Sequence, residues 1–317
     1  MAAEEEDSDH YTVGEKLRLF LPCARQRIFP RQNLFAGPYV GEFGWELMQW
    51  QGFVRARRHH YQEAHVMTYP GRDYLYEGCQ VHHHDIDLKT AGYRYGILDR
   101  EKGRQMIEKK ASDIGLENYD VFSPSLLCTR YHKAIWGQQF RLFEEEPLTT
   151  TARDVVFHFR AVRKRGADVY QDYSAAAADE LVQRCLERGL SVGCIGHPNY
   201  SYCPSDCEDY RSIDLRRTIA AMSTAHAVVG KNSGPMHLAS LCGKPTIQWA
   251  EDQWRLDFSL RWNPFRVPIY IVSNTESQPS PQSVYEGIVN ALADLRRKSH
   301  DFTQPLYTVP AQQIDGY

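Results

Sequence analysis

The sequence is short of the features that mark specialised protein classes. No apolar run reaches the roughly 18–20 residues that a spanning helix needs, and the chain opens on MAAEEEDSDH, an acidic stretch unlike a secretory leader. An excess of one charge is also lacking. Thirty-seven Lys and Arg against 40 Asp and Glu leave a net charge of -3 over 317 residues, so no global field attracts nucleic acid or an anionic membrane. Cysteines are few and scattered, at positions 23, 79, 128, 185, 194, 203, 207 and 242, which excludes a dense disulfide framework. The expected setting is therefore cytoplasmic, with reduced thiols. What is present is ordinary globular composition, 42% hydrophobic and 24% charged, in a length that suits two domains of ~150 residues.

The closest cysteine pair is Cys203-Pro-Ser-Asp-Cys207, with His197 upstream. Zinc would need a fourth ligand, and the nearest candidate, His226, lies in an alanine-rich helical stretch. The pattern favours two loop cysteines, and no metal is expected.

Strand and helix signals alternate along the chain, which predicts a parallel α/β fold. A short apolar run at 33–36 ends in the glycine-rich turn 37–44. Leu47, Trp50, Phe53 and Val54 then recur at helical spacing within 45–58, and 65–69 reads as a second strand. Residues 103–110 suggest helix and 120–124 a strand entering a turn. The polar stretch 144–151, with Pro147, marks a domain boundary. A second cycle follows. Strands are expected at 154–159, 191–195, 227–230, 244–249 and 268–272, with helices at 174–188, 215–225, 235–241 and 283–297.

In open parallel sheets, ligands bind beyond the carboxyl ends of the strands. The most suggestive end is Gly230-Lys231-Asn232-Ser233-Gly234-Pro235-Met236-His237. Pro235 favours a helix start, and the helix N-terminus behind Ser233 and Gly234 suits a phosphate. Lys231 adds charge, and His237 falls on the first turn. An ordinary capped helix after a tight turn has the same pattern.

Residues 230–246, GKNSGPMHLASLCGKPT, resemble the nucleotide-sugar signature of the heptosyltransferases, GT-B glycosyltransferases of the ADP-heptose:lipopolysaccharide type. The family pattern is roughly G-x-D/N-S/T-G-x-x-H-L-A-A-A-x-G-K-P-T, and the resemblance covers about 153–272. More weakly, 41–48 is similar to the family's opening G-D-V-x-x-x-x-P, with Glu42 in place of the aspartate and Met48 in place of the proline. The resemblance implies that Glu42 is the catalytic base. Glu46, one helical turn on, is a rival for that role. Both also suit a helix N-terminus on charge grounds alone.

The same resemblance implies that the basic loop Arg160-Ala-Val-Arg163-Lys164-Arg165 steadies a departing diphosphate, since positioned cations stabilise the charge that develops there. It implies further that the loop after 244–249 holds the base and ribose, with Trp249 or Trp254 stacking and Glu251 or Asp252 accepting from ribose hydroxyls. A competing D-x-D pair, Asp85 and Asp87, would fit a metal-dependent GT-A enzyme, but a three-residue match carries little weight.

The expected protein is thus an α/β enzyme with two Rossmann-like domains facing across a cleft: a lead-in at 1–33, an acceptor-side domain at 34–148, a donor domain at 153–280, a last helix at 281–298 free to pack back on the first domain, and a tail at 299–317. It transfers a sugar from a nucleotide-diphosphate donor to an acceptor hydroxyl, with no cofactor and no metal. A nucleotide-sugar epimerase or hydrolase of the same architecture, or a non-catalytic binding protein, is the alternative. Glycan, protein, small molecule and modified nucleobase all remain open as acceptors.

Overall fold

The structure, a computed structural model, describes residues 25–26, 28–86, 100–124, 139–161, 163–165, 168–170 and 173–297; of 163–165 and 168–170 only the backbone is described. Asp87, most of the lead-in and the tail 299–317 fall outside these residues.

The first sheet joins β1 (Asn33–Ala36), β2 (Glu63–Thr68), β3 (Gln80–His83) and β4 (Tyr119–Phe122), all parallel, in the order β3-β2-β1-β4. All four residues of β1 are buried, as expected for a strand covered on both faces. Helix α1 follows β1. It begins as Phe43–Trp45, widens into a π-helical stretch at Glu46–Trp50, and returns to α-helix at Gln51–Arg58. The Gln51 amide of the widened turn donates to the Glu46 carbonyl, and the Gln51 side chain donates back to the Leu47 carbonyl at 2.9 Å. Helix α2 (Arg100–Asp113) precedes β4.

The second sheet begins with β5 (Arg153–Arg160), followed by an antiparallel hairpin of β6 (Arg163–Arg165) and β7 (Asp168–Tyr170). Helix α3 (Ala175–Glu187) is capped by Ser174, which accepts from the Ala177 amide, and is followed by Gly189 at φ +78°, the left-handed position that ends many helices. Then come β8 (Val192–Cys194), β9 (Ser201–Tyr202), β10 (Glu208–Asp209), α4 (Leu215–Ser223), β11 (Ala225–Lys231), α5 (Gly234–Leu241), β12 (Thr246–Trp249), α6 (Gln253–Arg261), β13 (Ile269–Ser273) and α7 (Pro281–Arg297). The order across the sheet is β10-β8-β5-β11-β12-β13, all parallel, with β9 pairing antiparallel on the end of β5. Renumbered from β5, this is 3-2-1-4-5-6, the order of doubly wound dinucleotide folds, whose switch point lies between the first and fourth strands. Here that point falls between the carboxyl ends of β5 and β11.

One apolar cluster runs through both sheets' helices, from Leu34, Trp50 and Tyr76 to Val228, Met236 and Trp262. A second covers the other face of the second sheet and includes Val284, Ile288, Ala291 and Leu292 of α7. That corrects one expectation: α7 packs on α3, β13 and the second sheet rather than back on the first. Its apolar stripe matches the face that α3 leaves open, through Leu181, Val182 and Cys185. No helix among the described residues is long and apolar enough to cross a membrane.

Candidate active site

The two glycine turns singled out in the sequence meet. A Cβ on Gly234 would lie 2.8 Å from Phe43 Cδ1 and 3.2 Å from the Gly44 amide, and a Cβ on Gly44 would lie 3.3 Å from His237 Cδ2. At Gly234 the approach leaves no room for a side chain, and at Gly44 it leaves little. The helix that follows β1 therefore begins against the helix that follows β11, and both N-termini, each with its positive dipole end, face one junction. Trp262 seals it, meeting Trp45 edge-on at 4.7 Å between centroids and His237 at 5.0 Å. A second contact lies alongside, where the Leu215 amide at the start of α4 donates to the Gly71 carbonyl at 3.0 Å.

The two candidate carboxylates part company here. Glu46 is fully buried and held by three partners: Oε1 accepts from the Thr68 hydroxyl at 2.5 Å and the Tyr76 hydroxyl at 2.6 Å, and Oε2 pairs with Arg72. Burial first, and the Glu46 charge second, push the Tyr76 phenol well above its usual value, so it stays a donor. Three donors on one buried carboxylate favour an anchoring role for Glu46 over that of a base. Its partner Arg72 lies over the rings of Tyr69 and Phe43, at 4.6 and 5.1 Å. Glu42 is half-buried at the N-cap of α1, and its side chain makes no capping hydrogen bond. The turn that carries it is fixed from below by the buried Tyr39, whose hydroxyl donates to the Glu42 carbonyl at 2.8 Å.

On the α5 side, Asn232 is anchored from both ends. Its amide donates to the Trp249 carbonyl at 2.9 Å, and its side chain reaches Ser259 and Gln248. Lys231 pairs with Glu251 at 2.7 Å, and Arg255 takes the other Glu251 oxygen at 2.7 Å. Two predicted ligand-binding charges thus bind each other. Ser233 holds the N-cap of α5 with its carbonyl accepting from Met236, while its buried hydroxyl has no partner among the described residues. Pro235 lies in the first turn of that helix. Arg160 closes β5 in register with Ser201 of β9. The side chains of Arg163 and Lys164 lie outside the described residues.

Trp249 departs from expectation. It is 1% exposed, tilted against Tyr173 at 5.3 Å, with its indole N–H donating to the Ser277 carbonyl at 3.2 Å. No ring face is left for a nucleobase, because β12 turns this residue into the second core. Trp254, 37% exposed on α6, retains a surface.

His237 is packed against Trp262, and burial lowers its pKa to about 4. The unfolded chain takes up this proton near the usual value of ~6.5, so the native state loses stability as pH falls from about 6.5 to about 4, at up to about 1.4 kcal/mol per pH unit. Urea unfolding of the parent and His237→Gln across that window is expected to show the shallower pH slope in the variant. Equal slopes would contradict a buried neutral ring.

No known family model matches the sequence, and no curated protein matches it significantly. Solved structures do match. The Escherichia coli ADP-heptose lipopolysaccharide heptosyltransferase II aligns with 84% of this chain and 100% of its own length, at 14% identity and a TM-score of 0.51. A glycosyl transferase family 9 protein from Veillonella parvula aligns with 85% of this chain and 98% of its own, at 12% identity and a TM-score of 0.51. The fold is the heptosyltransferase fold. Nearly the whole length of each of these structures is used, so the likeness spans both sheets of the chain rather than one of them.

Sequence reasoning passed over Arg72 and read His197 only as a neighbour of the cysteines. Both follow parallel strands: Arg72 comes just after β2 through Pro70-Gly71, and His197 just after β8. His197 is half-buried and its pKa is lowered, first by desolvation and then by the Arg72 charge. The position of each residue at a strand's carboxyl end was the available signal. Of the D-x-D pair, Asp85 is exposed past β3.

Proposed function

We propose that this chain is a glycosyltransferase that moves a sugar from a nucleoside-diphosphate donor to an acceptor hydroxyl. The observation that carries the proposal is the meeting of Gly44 and Gly234. It brings the Glu42 turn, at the end of β1, to the helix that opens the 230–246 signature at the switch point of a 3-2-1-4-5-6 sheet. The fold is that of enzymes whose E. coli example is described as using ADP-heptose, which supports a nucleotide-sugar donor here as well.

In this reading the two units, 34–148 and 153–280, face each other across a cleft centred on the junction. The diphosphate lies against the N-terminus of α5, where the Ser233 hydroxyl is available to donate, and against Arg160 and the 163–165 hairpin. These positive groups counter the charge that builds on the leaving group as the glycosidic bond breaks. Glu42 takes the proton of the acceptor hydroxyl as it attacks the anomeric carbon. The Lys231–Glu251–Arg255 cluster holds the loop beyond β12 in place, and Trp254 offers the stacking surface that Trp249 does not. No metal enters the chemical step, so transfer proceeds without added magnesium or manganese. Binding of nucleoside-diphosphate sugars, read by thermal shift, tests the reading: a chain that binds none of them is not this enzyme.

A further inference from the structure

Away from the junction, the sheet edge assembles three thiols. Cys194 ends β8, Cys203 directly follows β9, and Cys207 directly precedes β10. The pairing of Asp209 with Cys194 in the parallel ladder folds the 203–207 loop back over the strand end. All three sulfurs then lie within 4.8 Å of one another, with Cys207 and Cys194 3.2 Å apart. Zinc–sulfur bonds of ~2.3 Å in a tetrahedron put neighbouring sulfurs about 3.8 Å apart, so the three need only small rotations to share one ion.

We propose that Cys194, Cys203 and Cys207 hold a single thiophilic divalent metal ion of the zinc class. Three thiolates select such an ion over magnesium or calcium, which prefer oxygen. Cys194 and Cys207 are buried and form the floor, while the half-buried Cys203 leaves the fourth position to water. Arg211 lies beside the cluster, its guanidinium donating to the Ser201 carbonyl at 2.7 Å and paired with Asp209 at 2.7 Å.

The site's position gives it a mechanical role. Cys203 adjoins Tyr202, which pairs with Phe159, and Ser201 pairs with Arg160. An ion on the three sulfurs ties β9 and the 203–207 loop to β8, and so braces the end of β5 from which the basic hairpin departs. This inference stands on the thiols alone and holds whether or not the chain transfers sugar.

The test uses the full chain purified under reducing conditions. Elemental analysis should find about one zinc per chain; Cys203→Ser and Cys207→Ser should each reduce that at least tenfold, and Cys79→Ser should leave it unchanged. Chelation should speed amide exchange at 159–161 and 201–209. If the serine variants fail to fold, the parent decides: after metal removal, added cobalt(II) should give the near-ultraviolet thiolate-to-cobalt band. A chain isolated without metal that takes up no zinc or cobalt, a Cys194–Cys207 disulfide in the reduced preparation, or metal retained in both serine variants would overturn the assignment. Exchange unchanged by chelation would overturn the bracing role.

Discussion

Glu42→Gln is expected to lower kcat by about 10²–10⁴-fold, the usual contribution of a general base, or about 3–5 kcal/mol of barrier. The substitution keeps the side chain's size and removes its basicity. The turn itself should survive, because the Tyr39 hydroxyl on the Glu42 carbonyl and the Gly44–Gly234 contact both hold it. Donor affinity should therefore stay within a few-fold of the parent, since the proposed diphosphate site is on the other side of the junction. Steady-state kinetics with a separate donor titration distinguish the two quantities. A variant with normal kcat would move the base elsewhere on the first unit. A variant that loses donor binding as well would mean that Glu42 shapes the turn rather than removing a proton.

Glu46→Ala should fail in a different way, by unfolding more easily. Removing the carboxylate leaves Arg72, 17% exposed, without its ion-pair partner, and it leaves the buried Thr68 and Tyr76 hydroxyls without their acceptor. Breaking a buried pair from one side costs about 3–5 kcal/mol. The expected result is a denaturant midpoint well below the parent's with an unchanged m-value. Glu46→Gln should lose less, because its amide oxygen still accepts one hydroxyl. An Ala variant as stable as the parent would mean that Glu46 is not the anchor its contacts imply, and would restore it as a candidate base.

The pairing of these two outcomes shows where the sequence was legible and where it was not. The second unit announces itself through apolar strands such as 154–159 and 227–230, the latter closed by Gly230, and these became β5 and β11 in register. The first unit is harder to read. β3 is Gln80-Val-His-His83, half-exposed and without an apolar run, and the two-residue strands β9 and β10 exist only because β5 and β8 offer them partners. Glu42 and Glu46 look alike as sequence, one turn apart. The widened turn at Glu46–Trp50 and the arrival of Arg72 from another loop decide that one is buried and the other is not. Trp249 is a similar case, since which face of β12 it occupies is a matter of register. Cys194 could not be linked to Cys203 and Cys207 by spacing, because only sheet pairing brings it to them.

The most direct test of the central claim is a thermal-shift screen of the purified chain against nucleoside-diphosphate sugars that vary in base and sugar. A true donor present at 100 times its Kd should stabilise the fold by about 2.7 kcal/mol, and Arg160→Ala should abolish most of that shift, measured against the variant's own unliganded melting temperature. A chain that no nucleoside-diphosphate sugar stabilises, or one whose donor shift is untouched by Arg160→Ala and by Ser233→Ala together, would contradict a donor site at the β5–β11 switch point.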